Sequence, residues 1–229
     1  MLWLAKPRRG YCVSAAGRGG PRRPHDFYPT PSALTHAALA HIDLIGSIGH
    51  SLTIVDPGAG FGEWGAAARH HWPDARIIGV DIAQPKPAGA VYDEWHIADY
   101  LQWARSVAAA ERPDVIIGNP PFNQAEAFIR ASLALVASGG RVVFLLRLGL
   151  LEGIHRAAGL WRDCPPARVS VLTARPSFTG DGRMDQAAYG VFLWTSPAPR
   201  VTALDWLHWQ PDRRSTIVNK HKTGSKLAA

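Results

Sequence analysis

Asn119, Pro120, Pro121 and Phe122 stand together directly after the apolar run at 115–118. Such a run, bounded by turn residues, reads as a buried strand. The two prolines stiffen the turn that follows by fixing φ. The Asn119 side-chain oxygen and the Pro120 carbonyl can then aim at one point, with the flat ring of Phe122 beside them. Two hydrogen-bond acceptors next to an aromatic face suit a planar ring that carries an exocyclic amino group. A nucleobase is the obvious member of that class.

A second group lies upstream. Asp56-Pro57-Gly58-Ala59-Gly60-Phe61-Gly62 falls between a predicted strand at 52–55 and a small-residue helix around 66–70. Glycines there allow a tight backbone turn and let a ligand lie against the chain with no Cβ in the way. The spacing is Gly-x-Gly-x-Gly, with an Asp before the first Gly. Asp56 at a strand end suits a ligand that carries an ammonium group and poorly suits a pyrophosphate. Asp81 closes the predicted strand at 76–81, where a carboxylate commonly accepts hydrogen bonds from ribose hydroxyls. Asp99 follows the predicted strand at 95–98 and is placed to accept an adenine amino proton. Either Asp alone reads as a helix cap or a surface residue. With the glycine loop, in order, they describe an adenosine-shaped slot.

In this combination the chain resembles the class I S-adenosylmethionine-dependent methyltransferases. Asn119-Pro120-Pro121-Phe122 also matches the Asn/Asp/Ser-Pro-Pro-aromatic motif of amino-methyltransferases. The chemistry is consistent with that. An exocyclic amine conjugated to a ring is a poor nucleophile, and two acceptors on its N–H groups favour a pyramidal nitrogen with its lone pair turned to the methyl donor. Positioning and electrostatics then supply most of the rate. Phe122 would stack on a base rotated out of a duplex. Asp26-Phe27-Tyr28-Pro29-Thr30-Pro31 resembles the N-terminal cofactor segment of DNA adenine methyltransferases, especially the short phage-type enzymes. The resemblance implies cofactor contacts at Tyr28, Thr30, Pro31, Asp56, Gly58, Gly60, Asp81, Asp99 and Asn119. It spans roughly 26–195. The loop at 175–185 resembles the same family. Arg147, Arg175, Phe178 and Arg183 are the expected nucleic-acid contacts, the arginines through phosphates or a guanine edge.

The expected reaction is methyl transfer from S-adenosylmethionine to the N6 amine of adenine in DNA. Cytosine N4 offers the same kind of amine, although that family more often has Ser before Pro-Pro. Ribosomal-RNA and protein-glutamine methyltransferases share the motif. A non-catalytic nucleic-acid-binding module on the same scaffold is the alternative from outside enzymology. No large insertion separates the glycine loop from Asn119, so target recognition is expected to rest on the 175–188 loop, the basic ends or a second subunit.

The elements that must position these residues follow from periodicity. Strands are predicted at 52–55, 76–81, 95–98, 114–118, 141–146, 169–173 and 189–194. A helix opens at Thr30, read as its N-cap, with Pro31 as its first residue and apolar positions to Ile45. Another runs over about 124–136. Strand-helix alternation implies an α/β fold: a seven-stranded, mostly parallel, Rossmann-like sheet with helices on both faces, and by resemblance an antiparallel last strand.

Composition sets the remaining limits. At 229 residues with 47% hydrophobic content the chain fits one domain, read as a basic arm at 1–25, a catalytic domain at 26–212 and a basic tail at 213–229. The net charge of +7 is unevenly placed: 1–25 holds six basic residues, 213–229 holds five, and all 18 acidic residues lie between them with the other 14 basic ones. Basic ends on a body of net −4 point to phosphate contact, hence to DNA as partner. Lys226-Leu227-Ala228-Ala229 looks vector-derived. Cys12 and Cys164 lack any paired metal-type spacing, so no metal and a reducing, cytoplasmic compartment of a bacterial or phage-infected cell are expected. No apolar run is long enough for a membrane span. Among nine tryptophans, Trp194, Trp206 and Trp209 read as packing or as an oligomer interface, which leaves a homodimer open.

Overall fold

The computed structural model describes residues 29–42, 52–83, 87, 89–178 and 184–211. Tyr28, Arg183 and the two basic ends lie outside the described residues. In chain order the elements are α1 (Ser32–His41), β1 (Thr53–Pro57), α2 (Glu63–His71), β2 (Arg76–Asp81), β3 (Glu94–Ile97), α3 (Tyr100–Ser106), β4 (Val115–Gly118), α4 (Ala125–Leu135), β5 (Arg141–Arg147), α5 (Ile154–Ala158), α6 (Leu160–Asp163), β6 (Arg168–Leu172), β7 (Tyr189–Thr195) and β8 (Ala203–Leu207).

The strands form one sheet in the order β3-β2-β1-β4-β5-β7-β6-β8. β3, β2, β1, β4 and β5 pair in parallel, β7 is antiparallel to both β5 and β6, and β8 is parallel to β6. Among the described strands only β7 is therefore reversed, as expected for the seventh strand. The expected count of seven is corrected to eight among the described residues. β8 escapes a periodicity reading because its apolar Leu204 and Trp206 face outward, 61% and 59% exposed, while the inward positions are Asp205 and Leu207. The inward Asp205 is held by Arg168 and by His41 of α1, at 2.5 and 3.3 Å.

Two apolar cores explain why the central strands read as continuous hydrophobic runs. Parallel strands covered on both faces have no polar side to alternate with. Ile54, Ile77, Val115, Ile117, Val143 and Leu145 pack toward α1 and α2. Val55, Ile78, Ile116, Val142 and Phe144 pack toward α3, α4 and Leu160 of α6. Residues one apart in β1 and β4 thus anchor opposite layers, as a period of two requires.

Where α1 begins, one expectation is corrected. Its N-cap is Pro31, not Thr30. The Thr30 hydroxyl instead accepts a hydrogen bond from the Trp64 indole of α2 at 3.2 Å. The Pro31 carbonyl accepts from the Leu34 and Thr35 amides and starts the helix. Among the described residues no helix is long and apolar enough to cross a membrane.

Candidate active site

The sheet order turns back at β1, which has β2 on one side and β4 on the other. In open α/β sheets the crevice at such a reversal, outside the carboxyl ends of the strands, is where ligands bind. Asp56 lies at that end of β1, Asp81 at that end of β2, and Asn119 directly follows β4. The fold therefore gathers on one rim three residues that are far apart in sequence.

The glycine loop is shaped for close approach. Gly58, Gly60 and Gly62 have φ of 67°, 57° and 89°, a region that residues with a Cβ rarely enter. The Gly58 amide donates to the Val80 carbonyl of β2 at 2.8 Å, and the Gly60 amide donates to Asp81 Oδ2 at 2.9 Å. Asp81 thus secures the loop from the neighbouring strand. Its other oxygen accepts the Ala83 amide at 2.9 Å. A Cβ on Gly58 would lie 3.7 Å from the Pro121 ring, so the loop and the Asn-Pro-Pro-Phe turn face each other.

Asp56 is the most unusual group of the site. It is 1% exposed. Its Oδ2 accepts from the Tyr92 hydroxyl at 2.7 Å and from the Gly65 amide at 3.1 Å. Its Oδ1 is buried and has no hydrogen-bond partner. Burial pushes its carboxyl up to about 7, against the two hydrogen bonds and with the help of the nearby Glu63 and Asp81 charges. Burial, then Asp56 itself, holds the Tyr92 hydroxyl far above its ordinary value, so Tyr92 remains a donor. Gly118, just before Asn119, lies so close that a Cβ there would be 3.2 Å from Asp56 Oδ1.

Tyr92 and Gly65 are site residues that sequence reasoning missed. Tyr92 is buried in the segment between β2 and β3, 36 residues from Asp56, with no motif around it. Gly65 carried a faint signal, a glycine in the first turn of a helix. A Cβ there would sit 2.4 Å from the Tyr92 ring.

In the Asn-Pro-Pro-Phe turn, Pro120 is buried, and Asn119, Pro121 and Phe122 are half-buried. Phe122 opens a short 3-10 turn that leads into α4. Its ring centroid is 5.5 Å from that of Tyr189 and 6.3 Å from that of Phe178. Phe178 is 3% exposed and packs behind Phe122, so it is not presented as a surface for a nucleic acid. Arg147 is turned inward onto Phe122, whereas Arg175 is exposed. Asp99 is half-buried and caps α3, its Oδ1 accepting the Leu101 and Gln102 amides at 2.7 and 3.2 Å. Two exposed apolar residues border the glycine-loop side of the rim, Phe61 in the loop itself and Ile82 just after Asp81. Among the described residues no cluster of His, Cys, Asp or Glu can hold a metal ion.

No protein-family model matches the chain, and no curated protein matches it. Solved structures do. A class I S-adenosylmethionine-dependent methyltransferase of Listeria monocytogenes aligns over 83% of this chain and 68% of its own, at 15% identity and a TM-score of 0.59. A type I restriction-modification methyltransferase subunit of Streptococcus thermophilus aligns over 72% of this chain at 15% identity and a TM-score of 0.59. Only 44% of that subunit is covered, so the chain matches less than half of its length. A predicted O-methyltransferase of Agrobacterium tumefaciens aligns over 77% of this chain and 85% of its own, at 18% identity and a TM-score of 0.50. The chain has the fold of the class I S-adenosylmethionine-dependent methyltransferases.

Proposed function

We propose that the chain is an S-adenosylmethionine-dependent amino-methyltransferase whose substrate is the N6 amine of adenine in DNA. The observation that carries this reading is the placement of Asn119-Pro120-Pro121-Phe122 after β4, directly beside the Asp56 glycine loop after β1. The residues fit the cofactor. Asp56 Oδ1, buried and without a partner, answers an ammonium group. Three left-handed glycines leave a cradle free of Cβ atoms. Asp81 stands where ribose hydroxyls are expected, with Ile82 beside it to cover an apolar ring face. Thr30, tied to Trp64, places the start of α1 on the same side of the sheet as α2.

When bound, the cofactor supplies an electrophilic methyl on a sulfonium; the methyl passes to nitrogen, a neutral thioether remains, and the nitrogen gives its proton to water. The chain's own work is positional. Asn119 and the Pro120 carbonyl accept the two N–H groups of the amine, and the prolines hold both acceptors in register. No strong general base is needed, and none of Asn119, Pro120, Pro121 and Phe122 carries a titratable side chain. The structural likeness to a restriction-modification methyltransferase subunit supports DNA as the substrate class, as do the basic ends.

Incubation with labelled S-adenosylmethionine and unmodified DNA, followed by nucleoside analysis, tests the reading. N6-methyladenine is the expected product. N4-methylcytosine, or label in RNA or protein only, refutes it. Asn119→Ala is expected to lower kcat by on the order of 10²–10³-fold, as loss of one preorganised polar group does elsewhere, with cofactor affinity unchanged by calorimetry.

A further inference from the structure

The Phe122 ring is held by a charged network that the reading above leaves unused. Arg147 ends β5 and pairs in register with Tyr189 of β7. Its guanidinium carbon lies 4.5 Å from the Phe122 ring centroid and 5.9 Å from that of Tyr189. Its Nε donates to the Tyr189 hydroxyl at 3.0 Å, and its Nη2 lies 3.4 Å from Asp185 Oδ2. The Tyr189 hydroxyl donates to the same Oδ2 at 2.7 Å. Asp185 Oδ1 accepts the Ala187 amide at 3.1 Å, and the Asp185 amide donates to the Pro176 carbonyl at 2.9 Å. The Asp185 side chain is 2% exposed and that of Arg147 is 24% exposed.

This is a poor arrangement for a phosphate ligand. To reach a phosphate, the guanidinium would have to leave a buried carboxylate behind, and a buried charge stripped of its partner is strongly unfavourable. It is a good arrangement for a restraint. The prolines fix the backbone up to Phe122, but they do not fix its ring. A cation over an aromatic face is attracted to the ring quadrupole, and here the cation is itself anchored at two atoms. Resting on the amino-methyltransferase reading, we propose that Arg147, anchored by Asp185 and Tyr189, is a positioning residue that sets the Phe122 ring to receive the flat substrate, and is not a phosphate contact. The segment at 184–188 then meets the site through Asp185, from behind the turn.

The test uses the full chain with Arg147→Met, Phe122→Leu and their combination, and with Arg147→Met/Asp185→Asn so that no buried charge is stranded if Arg147→Met alone fails to fold. Three readouts are needed: kcat and KM for methyl transfer to DNA, the dependence of DNA affinity on salt, and the 19F signal of 4-fluorophenylalanine at 122 in the ligand-free protein. Arg147→Met/Asp185→Asn is expected to lower kcat about tenfold or more. Its salt slope should stay that of the parent. Adding Arg147→Met to Phe122→Leu should cost nothing further, and the 19F signal should shift in both Arg147 variants. A salt slope smaller by about one, with losses that multiply, would mark Arg147 as a phosphate contact and overturn the proposal. An unmoved 19F signal overturns it as well, whatever the substrate. A parent chain that methylates no DNA sinks the substrate reading separately, because the 19F arm needs no turnover.

Discussion

Asp56 carries a carboxyl whose titration bears on both stability and binding. Its pKa rises from 3.8 to about 7 on folding, chiefly through burial. Between those values the native state holds a proton that the unfolded chain has lost. Stability contributed by this group therefore falls as pH rises through that window, and the full penalty is present above about pH 7. Asp56→Asn is expected to remove that decline, leaving only the share of the neighbouring Glu63, whose carboxyl burial also pushes up. Thermal midpoints of parent and variant across pH 4 to 8 measure the difference. The same proton opposes an ammonium ligand, so parent affinity for S-adenosylmethionine should rise with pH up to about 7 and level off, while the variant binds weakly throughout. A parent profile flat in pH would contradict this. Asp56 was legible as a site residue because it precedes a glycine loop. Its buried, half-satisfied state was not, because that comes from Tyr92, a contact made only when β2 and its following segment fold back. Asn119 to Phe122 were legible as a motif. The cation on Phe122 was not, since it requires β5 and β7 to pair Arg147 with Tyr189.

At the scale of elements, the seam between α1 and α2 gathers three imidazoles. The ring centroids of His36, His70 and His71 lie 5.0 to 5.5 Å apart. Burial first, and then His70 and His71, lower the pKa of His36 below its ordinary 6.5. The native state thus binds fewer protons than the unfolded chain just below 6.5, and stability from this group is lost as pH falls through that value. The sign is opposite to that of Asp56 over part of the same range. His36→Gln should flatten the acid-side loss seen in thermal midpoints between pH 7 and 5. The effect should be small, under about 1 kcal/mol, since solvent screens half-exposed rings. An unaltered profile would exclude the seam as a source of acid sensitivity. Element boundaries were legible where an apolar run meets a charged or turn residue, as in β2, which begins at Arg76 and ends at Asp81. α3 was not anticipated because Asp99 had been given to the ligand, and a carboxylate after a strand can equally begin a helix. β8 was hidden because its inward face includes an aspartate that only Arg168 and His41 make tolerable.

At the scale of the whole molecule, charge and topology separate the tasks. The reversal at β1 puts Asp56, Asp81 and Asn119, the proposed cofactor and acceptor residues, on one rim of a sheet whose body, 26–212, carries a net −4. An anionic polymer approaching that body would be repelled overall. The eleven basic residues at the two ends reverse the balance. Deletion of 1–25, which removes six of them, is expected to weaken DNA binding and to reduce the slope of log affinity against log salt by up to about 5, while leaving cofactor affinity intact. A slope equal to that of the parent would remove this segment from the interface.

Glycine in a helix is ordinarily an invitation to protein engineers, because alanine is worth up to about 1 kcal/mol more per helical position. Gly65 would head such a list. Here the added methyl would press into the Tyr92 ring and pull its hydroxyl from Asp56. A substitution chosen for helix propensity alone would thus disturb Asp56, the proposed ammonium-binding carboxylate, from a helix position that its own amide ties to that group.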